Sequence, residues 1–90
     1  MERRVAAILI QIFEQADIVR LNGILAKFGT IILGRQGINL PGKKFRIISL
    51  VVDATTDQIG ALSGQIGRLP GIVVKTAILK PYCNGNDISS

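Results

Sequence analysis

The sequence predicts an α+β fold in the order β-α-β-β-α-β, with a four-stranded antiparallel sheet carrying two helices on one face. Three observations predict it. Four short runs are dense in isoleucine and valine, two segments between them repeat apolar residues at spacings of three and four, and glycine, proline and asparagine gather at the junctions.

The first run, Val5 to Phe13 (VAAILIQIF), has no helical period and reads as a strand buried on both faces. Its charged opening, Met1-Glu2-Arg3-Arg4, resembles the start of a secretion signal, but Glu14 and Asp17 stand where a small-residue cleavage site belongs. The run is also far shorter than the roughly 20 residues of a membrane helix. A cytoplasmic protein without a membrane segment is the expectation. From Asp17 onward, Ile18, Leu21, Leu25 and Phe28 mark the first helix, and Gly29 reads as its left-handed terminator. Thr30 to Leu33 begins the second strand, Gly34-Arg35-Gln36-Gly37 continues or bends it, and Asn39 to Lys44 forms a turn. Phe45 to Val52 is the third strand, with Arg46 and Ser49 as its polar positions. Thr55, Thr56 and Asp57 then offer capping oxygens to a second helix whose core arc holds Ile59, Leu62, Ile66 and Leu69. Pro70-Gly71 ends that helix and Ile72 to Leu79 makes the last strand. Residues 1–80 therefore form a single domain, and 81–90 (PYCNGNDISS) a flexible polar tail. The pattern is the ferredoxin-like split βαβ.

That topology puts the first and third strands, the most apolar runs, in the middle of the sheet. A chain of 90 residues has room for one small core, yet 48% of its residues are hydrophobic, its mean hydropathy is +0.41 and only 19% are charged. Both faces of every strand carry apolar residues: Ile72, Val74 and Ile78 point one way, and Val73, Ala77 and Leu79 the other. Antiparallel sheets with one wet face usually alternate apolar and polar side chains. The surplus predicts a homo-oligomer, a homodimer or homotetramer, closed through the second sheet face.

Catalytic chemistry finds little to work with. The sequence has no histidine and one cysteine, Cys83, which excludes a His/Cys metal cage and an internal disulfide framework. No metal or cofactor is expected. Cys83 has no evident base beside it, and Glu14, Asp17, Asp53 and Asp57 fall at element ends, where capping and helix-dipole effects account for them. Gly34 to Gly37 lacks the lysine and hydroxyl ending of a phosphate loop. The expectation is a protein that is not an enzyme. Eleven basic residues against six acids give a net charge of +5, which suits nucleic acid, but the basic residues are dispersed and the aromatic content is 4%. Only Phe13 and Phe45 lie near the central strands, and Lys43-Lys44 reads as a solvated hairpin tip. A basic ferredoxin-like nucleic-acid-binding protein is retained as the alternative to a non-catalytic module.

The second helix holds the most specific pattern. Between its core arc and its outer arc (Asp57, Gln58, Ala61, Gln65, Arg68) lie Gly60, Ser63, Gly64 and Gly67, a groove with almost no side chain. Each glycine inside a helix costs about 1 kcal/mol relative to alanine, so a close contact is expected in compensation. Three partners fit: the first helix of the same chain through Asn22, Gly23 and Ala26, a helix of a neighbouring subunit, or a small ligand held between subunits.

Three stretches also carry a resemblance: Ile32 to Gly37 (ILGRQG), Val51 to Asp57 (VVDATTD), and Ile59 to Ile72 (IGALSGQIGRLPGI) followed by Val74-Lys75. Together they resemble the iron-only hydrogenase system regulators, over Val5 to Leu79, with Gln36 where that family more often has methionine. That family is similar to ACT domains and to the ligand-sensing domain of the nickel-responsive repressor, which share the ferredoxin-like fold and oligomerise. The repressor's histidine and cysteine ligands and its ribbon-helix-helix DNA-binding arm have no counterpart in this sequence. The resemblance implies a non-catalytic, ACT-like regulatory or small-ligand-sensing module whose partners are copies of itself and a small effector or another protein. By the same analogy the ligand-binding or close-packing groove is Gly60, Ser63, Gly64 and Gly67, with Asn22 and Arg35 as polar contacts.

Overall fold

Alternation along the first strand organises the molecule. In the computed structural model, which describes residues 2–81, β1 (Arg3–Phe13) turns Ala6, Ile8, Ile10 and Ile12 to one side, where all four are buried. It pairs antiparallel with β3 (Phe45–Thr55) on one edge and with β4 (Ile72–Ile78) on the other, and β2 (Ile32–Asn39) adds to the far edge of β3. The resulting order, β2-β3-β1-β4, is the predicted four-stranded antiparallel sheet with the two most apolar strands inside.

Both helices lie on the side of Ile8 and Ile10. α1 (Ile18–Lys27) is capped by the Asp17 carboxylate, which accepts from the Arg20 amide at 3.1 Å, and it buries Leu21 and Leu25. α2 (Thr56–Gly67) opens with a capping box: the Gln58 amide donates to Thr55 Oγ1 at 3.2 Å and the Thr55 amide donates to Gln58 Oε1 at 3.0 Å. Asp57 occupies its first turn, where a carboxylate meets the positive end of the helix dipole. Ile59, Leu62, Ile66 and Leu69 are buried, as their spacing predicts, in one cluster with Leu21, Leu25, Ile8, Ile10, Leu50 and Val52.

Four local expectations are corrected. Gly29 is not a left-handed terminator: Phe28 caps α1, and Gly29 opens a 3₁₀ turn, Gly29–Ile31, held by the Ile31 amide donating to Phe28 O at 3.1 Å and by the buried Ile31 side chain. Thr30 and Ile31 therefore belong to that turn and β2 begins at Ile32, with a register shift between Ile32 and Gly34 and with Gly34 to Gly37 wholly in the strand. Asp53 does not cap an element, because β3 runs on to Thr55 and the Asp53 carboxylate pairs with Arg3 Nε at 3.3 Å across the β1–β3 ladder. Finally, β1 is buried on one face rather than two, since Leu9 on its other side is 49% exposed.

Glycine is required at two turns. Gly42 (φ 77°) closes the β2–β3 hairpin, and Gly71 (φ 76°) carries the chain from α2 into β4. At Gly71 a Cβ would also meet the Ala16 amide nitrogen at 3.2 Å, and the Phe13 amide donates to Gly71 O at 2.9 Å. The tail expected at 81–90, with Cys83, lies outside the described residues apart from Pro81.

Replacing Ile10, which is completely buried, with alanine is expected to lower stability by about 2–5 kcal/mol in denaturant unfolding. Thr55→Ala, which removes only the capping hydroxyl, is expected to lose about 1 kcal/mol in the same measurement.

Candidate ligand site

The six residues expected to form one groove fall at opposite edges of the sheet. Ser63 reaches β4, where its Oγ lies 2.8 Å from Thr76 Oγ1. Arg35 stands on β2, and its Nη2 donates to Asn22 Oδ1 of α1 at 3.3 Å. β3 and β1 lie between those edges, so three interstrand steps, roughly 14 Å, separate the two groups. The expected single groove is thus two separate features, because β2 and β4, which flank the groups, are joined to the sheet from opposite sides.

At the β4 edge, Gly60, Gly64 and Gly67 are exposed, and a Cβ built on any of them would meet no atom within 4 Å. Packing of α1 against this stripe is excluded. α1 meets the other flank of α2 instead, where Lys27 Nζ donates to Gln65 Oε1 at 3.3 Å. Asn22, Gly23 and Ala26 are all exposed. Among the described residues the stripe therefore has no partner.

At the β2 edge the picture differs. A cavity of about 310 Å³ opens between α1 and the β2–β3 hairpin, floored by Ile12, Leu21 and Ile48 and rimmed by Arg35, Asn39 and Arg46. Register explains it. Arg35 pairs with Leu50, Gly37 with Ile48 and Asn39 with Arg46, and buried Leu50 shows that this row of pairs faces the helices. Gln36 pairs with Ser49 on the opposite face and takes no part in the cavity. Arg46, Gly37 and Asn39 escaped the sequence reading. The signal for Arg46 was its period-two spacing from Ile48 and Leu50, which places it on the helix-facing side once the strand's phase is known. Among the described residues no group of three or more His, Cys, Asp or Glu side chains could hold a metal.

Strand order, antiparallel pairing and two helices on one face define a ferredoxin-like α+β domain. The chain belongs to the TM1266-like iron-only hydrogenase system regulator family, whose sequence pattern matches residues 4–76. Among solved structures it is similar to the TM1266 protein of Thermotoga maritima, at 35% identity and a TM-score of 0.82, covering 88% of this chain and 100% of that one. SnoaB, a cofactor-independent oxygenase from Streptomyces nogalater, aligns at 7% identity and a TM-score of 0.47 over 97% of this chain and 100% of its own, too distant to bear on function. No curated protein matches the chain.

Because nothing among the described residues approaches Gly64, the structure makes Gly64→Ala a stabilising change in a lone subunit, by up to about 1 kcal/mol in denaturant unfolding. Loss of stability in that variant would instead mean that a second copy or a ligand occupies the stripe.

Proposed function

We propose that this protein is an oligomeric regulatory, small-ligand-sensing subunit of the cytoplasm, without catalysis of its own. The observation that carries the reading is a sheet face that nothing among the described residues covers. The described chain measures only 16 Å along its shortest axis, two layers thick, and its second sheet face presents Leu9, Ile38, Val51 and Val73, each 38–49% exposed. Register gathers them: Ala7 stands between Val51 and Ala77, Leu9 between Ser49 and Lys75, and Gln11 between Ile47 and Val73. Contiguous apolar surface of this kind marks an interface.

Charge favours a second copy of the chain as the occupant. Of the charges on this face, Arg3 and Asp53 neutralise each other, which leaves Lys75. Most of the positive charge stands elsewhere, on α1 (Arg20, Lys27) and the β2–β3 hairpin (Arg35, Lys43, Lys44, Arg46). Two copies meeting face to face thus bring apolar surface together while their main positive charges stay apart. Membership of a family named for regulation of the iron-only hydrogenase system supports the regulatory part. Among the described residues no helix is long and apolar enough to cross a membrane.

Light scattering on the native protein at micromolar concentration is expected to give at least a dimer mass, and Leu9→Asp is expected to give monomers with unchanged circular dichroism. A native monomer would overturn the oligomeric reading.

One observation favours the alternative, nucleic-acid binding. Phe13 and Phe45 form a direct cross-strand pair on the two central strands, ring centroids 5.6 Å apart, beside the Lys43-Lys44 turn. Bases stack on aromatic residues so placed in RNA-binding sheets. Titration with RNA and duplex DNA at two salt concentrations decides it. The regulatory reading expects no micromolar binding, and micromolar binding with a steep salt slope would establish the alternative.

A further inference from the structure

We infer that the cleft between α1 and the β2–β3 hairpin binds a small organic anion, whose oxyanion head is held by Arg35 and Arg46 and whose apolar body rests on the half-buried Ile18 and Ile48. The inference deepens the ligand-sensing part of the proposed function and rests on it, by placing the ligand and naming its chemistry.

Shape comes first. The cleft's volume of about 310 Å³ lies at the lower end of small-molecule pockets. Its opening is made by a missing side chain. Along β2 the helix-facing positions are Arg35, Gly37 and Asn39, roughly 7 Å apart in sequence along a strand. At Gly37 a Cβ would meet nothing within 4 Å. The glycine leaves a gap between the pair that carries Arg35 and the pair that carries Arg46, and the floor of that gap is the edge of the core.

Charge comes second. No aspartate or glutamate lines the cleft. Arg35 spends one N–H on the neutral Asn22 amide, and the Arg46 guanidinium makes no hydrogen bond or ion pair among the described residues. An adjoining depression of about 260 Å³ shares Ile12, Ile18 and Arg46 with the cleft and adds Lys43, Lys44 and Glu14. Among the residues that line the two hollows, four cations therefore stand against one carboxylate. Guanidinium groups present paired N–H donors that match a carboxylate or phosphate fork, and such charge-assisted bonds are stronger than neutral ones.

The apolar floor decides the size of the ligand. A nucleic-acid backbone presents phosphates but has no apolar part to lay on Ile18 and Ile48, whereas a compact aromatic or aliphatic acid satisfies floor and rim together. Carboxylate and phosphate monoester heads share the chemistry that the two arginines recognise.

Calorimetric titration of the native protein with benzoate, phenyl phosphate, neutral benzamide and a single-stranded oligonucleotide tests the assignment. Saturable binding of benzoate or phenyl phosphate, and not of benzamide, is expected, and the tighter of the two identifies the head group. Arg35→Gln and Arg46→Gln should each weaken it about tenfold or more, the scale of one lost charge-assisted hydrogen bond. Gly37→Val should abolish it by filling the gap. Gly37 does not have a positive φ, so valine is compatible with the strand there. Three results would overturn the inference: neither anion binding up to millimolar concentration, benzamide binding equally well, or Gly37→Val and Arg46→Gln binding as the native protein does. Binding of the oligonucleotide alone would also overturn it, in favour of the nucleic-acid reading. Mass by light scattering on the same samples keeps the two proposals apart: loss of the anion site with the oligomer intact defeats only the cleft.

Discussion

With β3 bonded along one edge and β4 along the other, β1 has no free edge, and its alternate side chains Ala6, Ile8, Ile10 and Ile12 make the floor on which both helices rest. Each buried isoleucine of this kind contributes about 1.5–3 kcal/mol relative to exposure. The register of the whole sheet follows from that floor, because a slip of one residue would turn Ile8 and Ile10 outward and bring Leu9 and Gln11 under the helices. α2 answers with Ile59, Leu62 and Ile66, and α1 with Leu21 and Leu25. The same alternation dictates what the chain leaves open. Among the described residues one face of the sheet stays uncovered, and the apolar side chains on it are odd-numbered members of β1, β3 and β4 together with Ile38 of β2.

The two outer strands have different surroundings. β4 lies beside the glycine stripe of α2, tied to it through Ser63 and Thr76, and gives the edge a smooth backbone surface. β2 lies beside the exposed side of α1, and Gly37 in its helix-facing row opens a cleft between arginines. Packing pulls α1 toward α2 through Lys27 and Gln65, so α1 leaves the β2–β3 hairpin partly uncovered. The cleft beside α1 and the apolar face opposite the helices lie on opposite sides of one thin sheet. A ligand between α1 and β2 touches β3 residues whose neighbours in sequence, Ile47 and Ser49, point to the uncovered face.

Most of the fold was legible because its signals are local and periodic. The spacing of Ile59, Leu62, Ile66 and Leu69 needs only a helix to become a core face, and Thr55 with Gln58 is a capping box by spacing alone. Misreadings arose where a neighbour outside the local window decided. Gly29 has the composition of a helix terminator, but the burial of Ile31 winds the chain into a 3₁₀ turn first. Asp53 looks like a cap until Arg3, fifty residues earlier, is found across the ladder. The six residues expected at one site were grouped by character, and character carries no information about which sheet edge each reaches.

Composition and periodicity by themselves determined the element order, the identity of the core, the absence of histidine chemistry and the apolar surplus that a single small core cannot absorb. Those properties depend on residue types and on spacings within one element. The tertiary structure decided which face of β1 is covered, that the glycine stripe of α2 looks away from α1, and that Arg46 joins Arg35 around Gly37 rather than pointing into solvent alone. Each of these is a relation between elements far apart in the chain. It is set by strand register and by which flank of a helix meets its neighbour, and both come from the packing of Ile8 and Ile10 against Leu62 and Ile66 in three dimensions.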